Sequence, residues 1–259
     1  MQPEKMNIAV LVSEGRHPVS GRARRALQDA CALELAFALG GELDVIHAGD
    51  PQHPALHDYL GMGLEKLTVL RQSPDDDALA VLAPYLDELQ PDLLLTGIHA
   101  EQGEGSGILP YLLAEHLGWP LVTGIAAIEA IEGDQVTLLQ ALPRGQRRRI
   151  TTQLPLVASV DEAAASPRQL AFARARRGNI REQEPGAARR DADSTGWQWQ
   201  DAKPRPKRLK VARAKTAADR FKQATAKAQG GKGQIIRNDP QAAAQAIYDL
   251  LVEEGVLRK

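Results

Sequence analysis

Apolar residues recur along this chain in two alternating rhythms. Residues 7–12, "NIAVLV", are a continuous apolar run of strand length, and Arg22 to Leu39 follow with apolar positions at helical spacing until Gly40-Gly41. The step then repeats. Leu43 to Ala48 reads as a second strand, His53 to Met62 as a short helix, Leu67 to Leu70 as a third strand, and Asp75 to Leu89 as a helix whose acidic first turn suits the helix dipole. Asp92 to Thr96 gives a fourth strand, Ser106 to Leu117 its helix and Pro120 to Thr123 a fifth strand. Apolar strands separated by helices predict an α/β fold with a mainly parallel sheet and right-handed crossovers.

Beyond Thr123 the rhythm changes. Ala126 to Ile131, Gln135 to Leu142, Arg147 to Gln153 and Leu156 to Val160 are close-set strand-like runs, joined by the turn signals Glu132-Gly133-Asp134 and Pro143-Arg144-Gly145. They predict an antiparallel meander whose last strand returns to the main sheet. From Asp161 the periodicity fades, and it resumes only in Asp239 to Gly255, where Asp239 can cap a helix starting at Pro240. That amphipathic terminal helix, tethered by a weakly patterned arm, needs a surface for its apolar face: another subunit, or its own domain.

Composition narrows the class. Of 259 residues 43% are hydrophobic and 25% charged, and three Phe, four Tyr and three Trp make a core that must rest on aliphatic side chains. No run reaches the length of a membrane-spanning helix, and the opening MQPEKMN leads into a strand rather than a signal segment, so the chain is expected to be cytoplasmic and not membrane-embedded. The single cysteine, Cys31, sits among Ala and Leu on a helix and reads as an inert core thiol. Net charge is −1, yet residues 203–232 are strongly basic while 73–104 lean acidic. The basic stretch lacks aromatics for base stacking and is broken by Pro204, Pro206 and Gly230-Gly231, which favours a solvated arm or protein-docking surface over nucleic acid.

Common catalytic signatures are missing: there is no phosphate-loop, dinucleotide, nucleophile-elbow or zinc-protease motif. His47, His53, His57, His99 and His116 are scattered singly, and no metal site is expected. Asp75-Asp76-Asp77 is explained by its place at a helix start. What remains is the loop between the fourth strand and its helix. Gly103, Gly105 and Gly107 allow close backbone approach there, and a helix N-terminus offers N–H groups to an anion; a purely structural turn is the alternative.

Several segments, in order, resemble the beta subunit of the electron transfer flavoprotein family. They are "PDLLLTGIHAEQGEGSGILPYLLAEHLGWPLVT", "LGMGLEKLTVL", "LPLVASV", "SPRQLAFARARRGNI" and the closing "DPQAAAQAIYDLLVEEGVL". The resemblance spans nearly the whole chain. It implies a Rossmann-like sheet of the adenine-nucleotide-binding type over residues 1–181, with a partner-recognition segment at 161–181, followed by an arm and C-terminal helix over 182–259 that dock on a partner. It further implies a heterodimer with an alpha subunit that holds most of an FAD. The pair would move electrons from flavin dehydrogenases to a membrane quinone reductase, as a carrier and not an enzyme, with an AMP buried in this chain. By position, the cofactor-binding residues would be Gly97, Ala100, Gln102, Glu104, Ser106 and Gly107. Partner recognition would fall to Phe172 with Arg168, Arg174, Arg176 and Arg177 around it. The chain departs from the family where Asn-Pro-Phe-Asp-Glu is replaced by Arg25-Ala26-Leu27-Gln28-Asp29, and where a run of aspartates is replaced by Gln102-Gly103-Glu104-Gly105. Two other readings compete: an enzyme of the ATP-pyrophosphatase type, which Ser13-Glu14-Gly15-Arg16 does not support, and a stand-alone nucleotide-binding signalling module, which leaves the arm without a purpose.

Overall fold

The computed structural model describes residues 6–184, 189–191, 196–198, 200, 202, 216–218, 221, 236 and 239–253. Its centre is a nine-stranded sheet in the order β11-β5-β4-β1-β6-β10-β7-β8-β9. The strands are β1 (Asn7–Leu11), β4 (Glu42–Gly49), β5 (Lys66–Arg71), β6 (Leu93–Gly97), β7 (Leu121–Glu132), β8 (Gln135–Ala141), β9 (Arg147–Gln153), β10 (Leu156–Val160) and β11 (Asn179–Gln183). A separate hairpin pairs β2 (Glu14–Arg16) with β3 (Ala23–Arg25). From β11 to β7 every pairing is parallel, and β7, β8 and β9 form the antiparallel meander. All five residues of β6 and of β10 are buried, as strands covered on both faces must be.

The covering helices divide by face. Against Ile8, Val10 and Val45 lie α1 (Leu27–Leu39) and α2 (Ala55–Gly61). Against Ala9, Leu11 and Ile46 lie α3 (Ala78–Leu89) and α4 (Leu109–Leu117). This is the α/β architecture expected from the alternation, including the return of β10 to the main sheet between β6 and β7.

Several details differ from the sequence expectation. The helix expected over Asp75–Leu89 starts at Ala78, because Asp77 is extended and caps it by accepting the Leu79 N–H, so its first turn holds no acidic residue. The helix expected over Arg22–Leu39 starts at Leu27, because Ala23 to Arg25 pair across to Glu14 to Arg16. The helix expected from Ser106 starts at Leu109, because Gly107 has φ of 74° and breaks the helical path. The runs 120–123 and 126–131 are one strand, β7, which passes Gly124 at φ 66° and absorbs the irregularity as register shifts. The stretch after Asp161 is partly ordered: it holds α5 (Phe172–Arg177) and β11, which adds to the sheet edge beside β5.

The chain divides into two compact units, residues 1–198 and 199–259. In the second, α6 (Pro240–Glu253) is capped by Asp239, whose Oδ1 accepts the N–H groups of Gln241 and Ala242 at 3.1 and 3.0 Å. The basic stretch 203–232 falls almost wholly outside the described residues. Among the described residues no helix is long and apolar enough to cross a membrane.

Candidate functional site

Chain direction through the sheet reverses beside β1. From β1 the crossovers run outward to β4 and β5, and the next strand, β6, lies on the other side of β1. The carboxyl ends of β1 and β6 therefore flank the switch point, where open α/β sheets place their ligands. A cleft of about 400 Å³ opens there. All six residues singled out from the sequence line it: Gly97, Ala100, Gln102, Glu104, Ser106 and Gly107.

Backbone geometry shapes that wall. Gly103, Gly105 and Gly107 have φ of 72°, 63° and 74°, so the loop turns through conformations that side chains disfavour. A Cβ on Gly107 would lie 2.7 Å from the Ile98 carbonyl oxygen, and one on Gly97 would collide with Oδ1 of Asp29. Among the described residues, the N–H groups of 100–107 have no hydrogen-bond partner within the protein. The loop thus presents a row of unpaired donors just ahead of α4.

Side chains from α1 and the loop itself hold this wall in place. Asp29, in the first turn of α1, accepts the Ser13 N–H at 2.7 Å, the Ser13 hydroxyl and the Gly97 N–H at 3.0 Å, tying the end of β1 to the end of β6. Burial pushes its carboxyl from the usual 3.8 up to about 6, against the pull of those donors. Gln28 Oε1 accepts the N–H groups of Ile98 and His99. Glu101 reaches the other way: it accepts the N–H of Leu27 at 2.9 Å and the guanidinium of Arg24 at 3.0 Å. Since Ala26 offers no side-chain cap, Glu101 caps α1 from a distant part of the chain. The buried Tyr59 hydroxyl donates to the Ser13 carbonyl and accepts from the Ala26 N–H, locking the same junction.

The opposite wall accepts hydrogen bonds. His47, buried at the end of β4, donates from Nδ1 to the Val12 carbonyl at 2.9 Å, which leaves Nε2 as an acceptor. That Nε2 has no hydrogen-bond partner and faces Glu14 Oε1 at 3.8 Å, while burial lowers the pKa and keeps the ring neutral. Glu14 Oε2 lies 3.3 Å from His53 Nε2. Among the described residues, the lining carries the carboxylates of Glu14, Asp29, Asp50, Asp77, Glu104 and Asp191 and no Lys or Arg. Among the described residues, the groups suited to an anion are the backbone N–H groups on the β6 side, and a hydroxyl or amino donor suits the β4 side. Among the described residues, no group of His, Cys, Asp or Glu is arranged to hold a metal ion.

The residues assigned to partner recognition lie on a different surface, along α5. Phe172 opens α5 and is 77% exposed, with Leu170 exposed beside it. The Arg176 guanidinium stands 5.8 Å from the Phe172 ring centroid. Arg174, Arg176 and Arg177 pair with no carboxylate among the described residues. Arg168 turns inward instead, onto Glu34 of α1.

The sequence reading missed Tyr59, Glu101 and His47 as parts of the site and met Gln28 and Asp29 only as departures from a family pattern. One signal was available: two polar residues open an otherwise apolar helix, "LQDACALELAFAL".

Comparison with known proteins adds independent findings. Residues 22–188 match the model of the electron transfer flavoprotein domain. The chain is 51% identical over 268 residues to the electron transfer flavoprotein subunit beta of Chromohalobacter salexigens, covering 100% of both chains. It is 32% identical over 149 residues to the subunit of that name from Syntrophomonas wolfei, 54% of this chain and 58% of that one. The Mycobacterium leprae subunit beta is 28% identical over 158 residues, 57% of this chain and 58% of its own length.

Proposed function

The chain belongs to the electron transfer flavoprotein family, and on that premise we propose that it works as the beta subunit of a two-chain electron carrier in the cytoplasm. In this reading an alpha subunit holds most of the FAD, the pair accepts electrons from flavin dehydrogenases, and a membrane quinone reductase takes them on. The flavin supplies the redox chemistry; this chain supplies binding, orientation and the choice of partner. The observation that carries the reading is full-length similarity at 51% identity to a beta subunit.

The switch-point cleft has the donor set for the phosphate of an AMP. Unpaired N–H groups at 100–107 suit a monophosphate, and Gly103, where a Cβ would meet nothing within 4 Å, leaves room for close approach. Gly97, Ala100, Gln102, Glu104, Ser106 and Gly107 would line the phosphate side. Glu14 and Asp50 would accept from hydroxyl groups on the β4 side. The carboxylates that line the cleft disfavour a longer phosphate chain, whose added charges would face them.

Docking of dehydrogenases belongs to the α5 surface. An exposed phenylalanine beside Arg174, Arg176 and Arg177, which pair with no carboxylate among the described residues, fits an apolar pocket rimmed by acidic residues. The α6 helix, with Ile247, Tyr248 and Leu250 exposed, suits burial against the alpha subunit.

The test is co-expression with the neighbouring alpha-subunit reading frame, followed by purification and a visible spectrum. A yellow one-to-one complex that a flavin dehydrogenase bleaches supports the carrier. A chain that purifies alone and colourless contradicts it.

A further inference from the structure

Arg168 sits where the sequence puts a cation beside Phe172, yet its guanidinium, about two-fifths exposed, is turned onto Glu34 of α1. Nε and Nη2 donate to Oε2 and Oε1 of Glu34 at 2.8 and 2.9 Å, a two-pronged contact, and the Arg168 N–H adds a third bond to Oε2 at 3.0 Å. The guanidinium carbon lies 4.2 Å from the centroid of the Phe37 ring. From the other side, Arg25 Nη2 donates to the Arg168 carbonyl at 2.9 Å.

The surrounding segment makes this matter. Residues 165–171 have no helix or strand of their own. Among the described residues, the backbone groups of Arg168 are the ones bonded between Ala164 and Ala171, where the Ala171 N–H donates to the Gly61 carbonyl. Leu170 and Phe172, the exposed apolar pair, follow Arg168 by two and four residues.

We propose that Arg168 is a positioning residue, which through Glu34 and Phe37 of α1 sets how Leu170 and Phe172 are offered to a client dehydrogenase, and does not itself touch that client. The inference rests on the proposed docking role of the α5 surface. It assigns the direct electrostatic contact to Arg174, Arg176 and Arg177, since the Arg168 charge is already matched by Glu34. Helix α1 also carries Gln28 and Asp29, which hold the cleft loop, so one helix frames both surfaces.

The experiment uses the flavin-loaded heterodimer and a flavin dehydrogenase shown to reduce the wild-type carrier. Glu34→Ala, Arg168→Ala and the double variant are compared by steady-state reduction over a range of carrier concentrations and of salt. All three are expected to raise KM for the carrier by a similar factor of about five to ten, without additivity and with kcat unchanged. The dependence of KM on salt is expected to match the wild type, because no charge contact to the client has been removed. Glu34→Gln, which keeps the shape, is expected to fall between, and thermal midpoints check that each variant is folded. Arg168→Ala acting alone while Glu34→Ala has no effect, or a weakened salt dependence, would mean that Arg168 touches the client, and would overturn the proposal. No change in any of them while Phe172→Ala raises KM would overturn it too, leaving the docking surface in place. No change even for Phe172→Ala would show that the docking reading itself fails, and the proposal with it.

Discussion

The N–H of Gly97 donates to the buried carboxylate of Asp29 at 3.0 Å, and this bond joins the first turn of α1 to the end of β6 at the floor of the cleft. Burial is the main cause that raises the Asp29 pKa from 3.8 to about 6. The folded state then holds this proton more tightly than the unfolded chain does. The resulting stability is fully present below about pH 4 and is lost as pH rises through about 6. At about 1.4 kcal/mol per pH unit between the two values, the change is on the order of 3 kcal/mol. In urea unfolding from pH 4 to 7, the stability of wild type minus that of Asp29→Asn is expected to decline across this window. A difference that is flat or rises with pH contradicts the assignment.

The cleft loop should respond unequally to added methyl groups. At Gly103 only the left-handed backbone is at stake, because a Cβ meets nothing within 4 Å, so Gly103→Ala is expected to cost about 1 kcal/mol. At Gly107 the Cβ also collides with the Ile98 carbonyl oxygen, and Gly107→Ala is expected to cost about 2–4 kcal/mol. Equal losses in denaturant midpoint would show that the loop relaxes freely.

Removal of Glu101 should loosen the hairpin and α1 together. Its carboxylate accepts from Leu27, Arg24 and the Arg16 N–H, and Glu101→Ala leaves those donors to solvent. The expected cost is about 1–3 kcal/mol. Faster hydrogen exchange is expected at residues 14–16 and 27–29, with β10 unchanged.

Phe172→Ala separates stability from docking. With the ring 77% exposed, the variant is expected to unfold within about 0.5 kcal/mol of wild type. Electron transfer from the dehydrogenase is nonetheless expected to weaken by about tenfold or more at sub-saturating carrier. Unchanged transfer would remove Phe172 from the interface.

Much of the fold is legible because parallel strands such as Leu93–Leu95 and Val157–Ala158 are apolar on both faces and stand out as continuous runs. The hairpin of Glu14–Arg16 with Ala23–Arg25 is not, since its stability comes from backbone pairing and from Glu101, while its own side chains are small or charged. For the same reason β11 is hidden: Ile180 is its single aliphatic residue, and the strand forms because the edge of β5 offers partners. The cleft loop could be placed from Gly97 and its glycines. The residues that hold it could not, because Gln28, Asp29 and Glu101 act on backbone groups about 70 positions away, which no local pattern records. The pairing of Arg168 with Glu34, across 134 positions, is hidden from the sequence for the same reason.

The most direct test of the whole account is the nucleotide content of the purified heterodimer, measured by chromatography of the supernatant after denaturation. One AMP released for each FAD is the expected result, and would make the 97–107 loop a working phosphate cradle. Flavin released with no adenylate beside it would contradict the cleft assignment and reduce that loop to a structural turn.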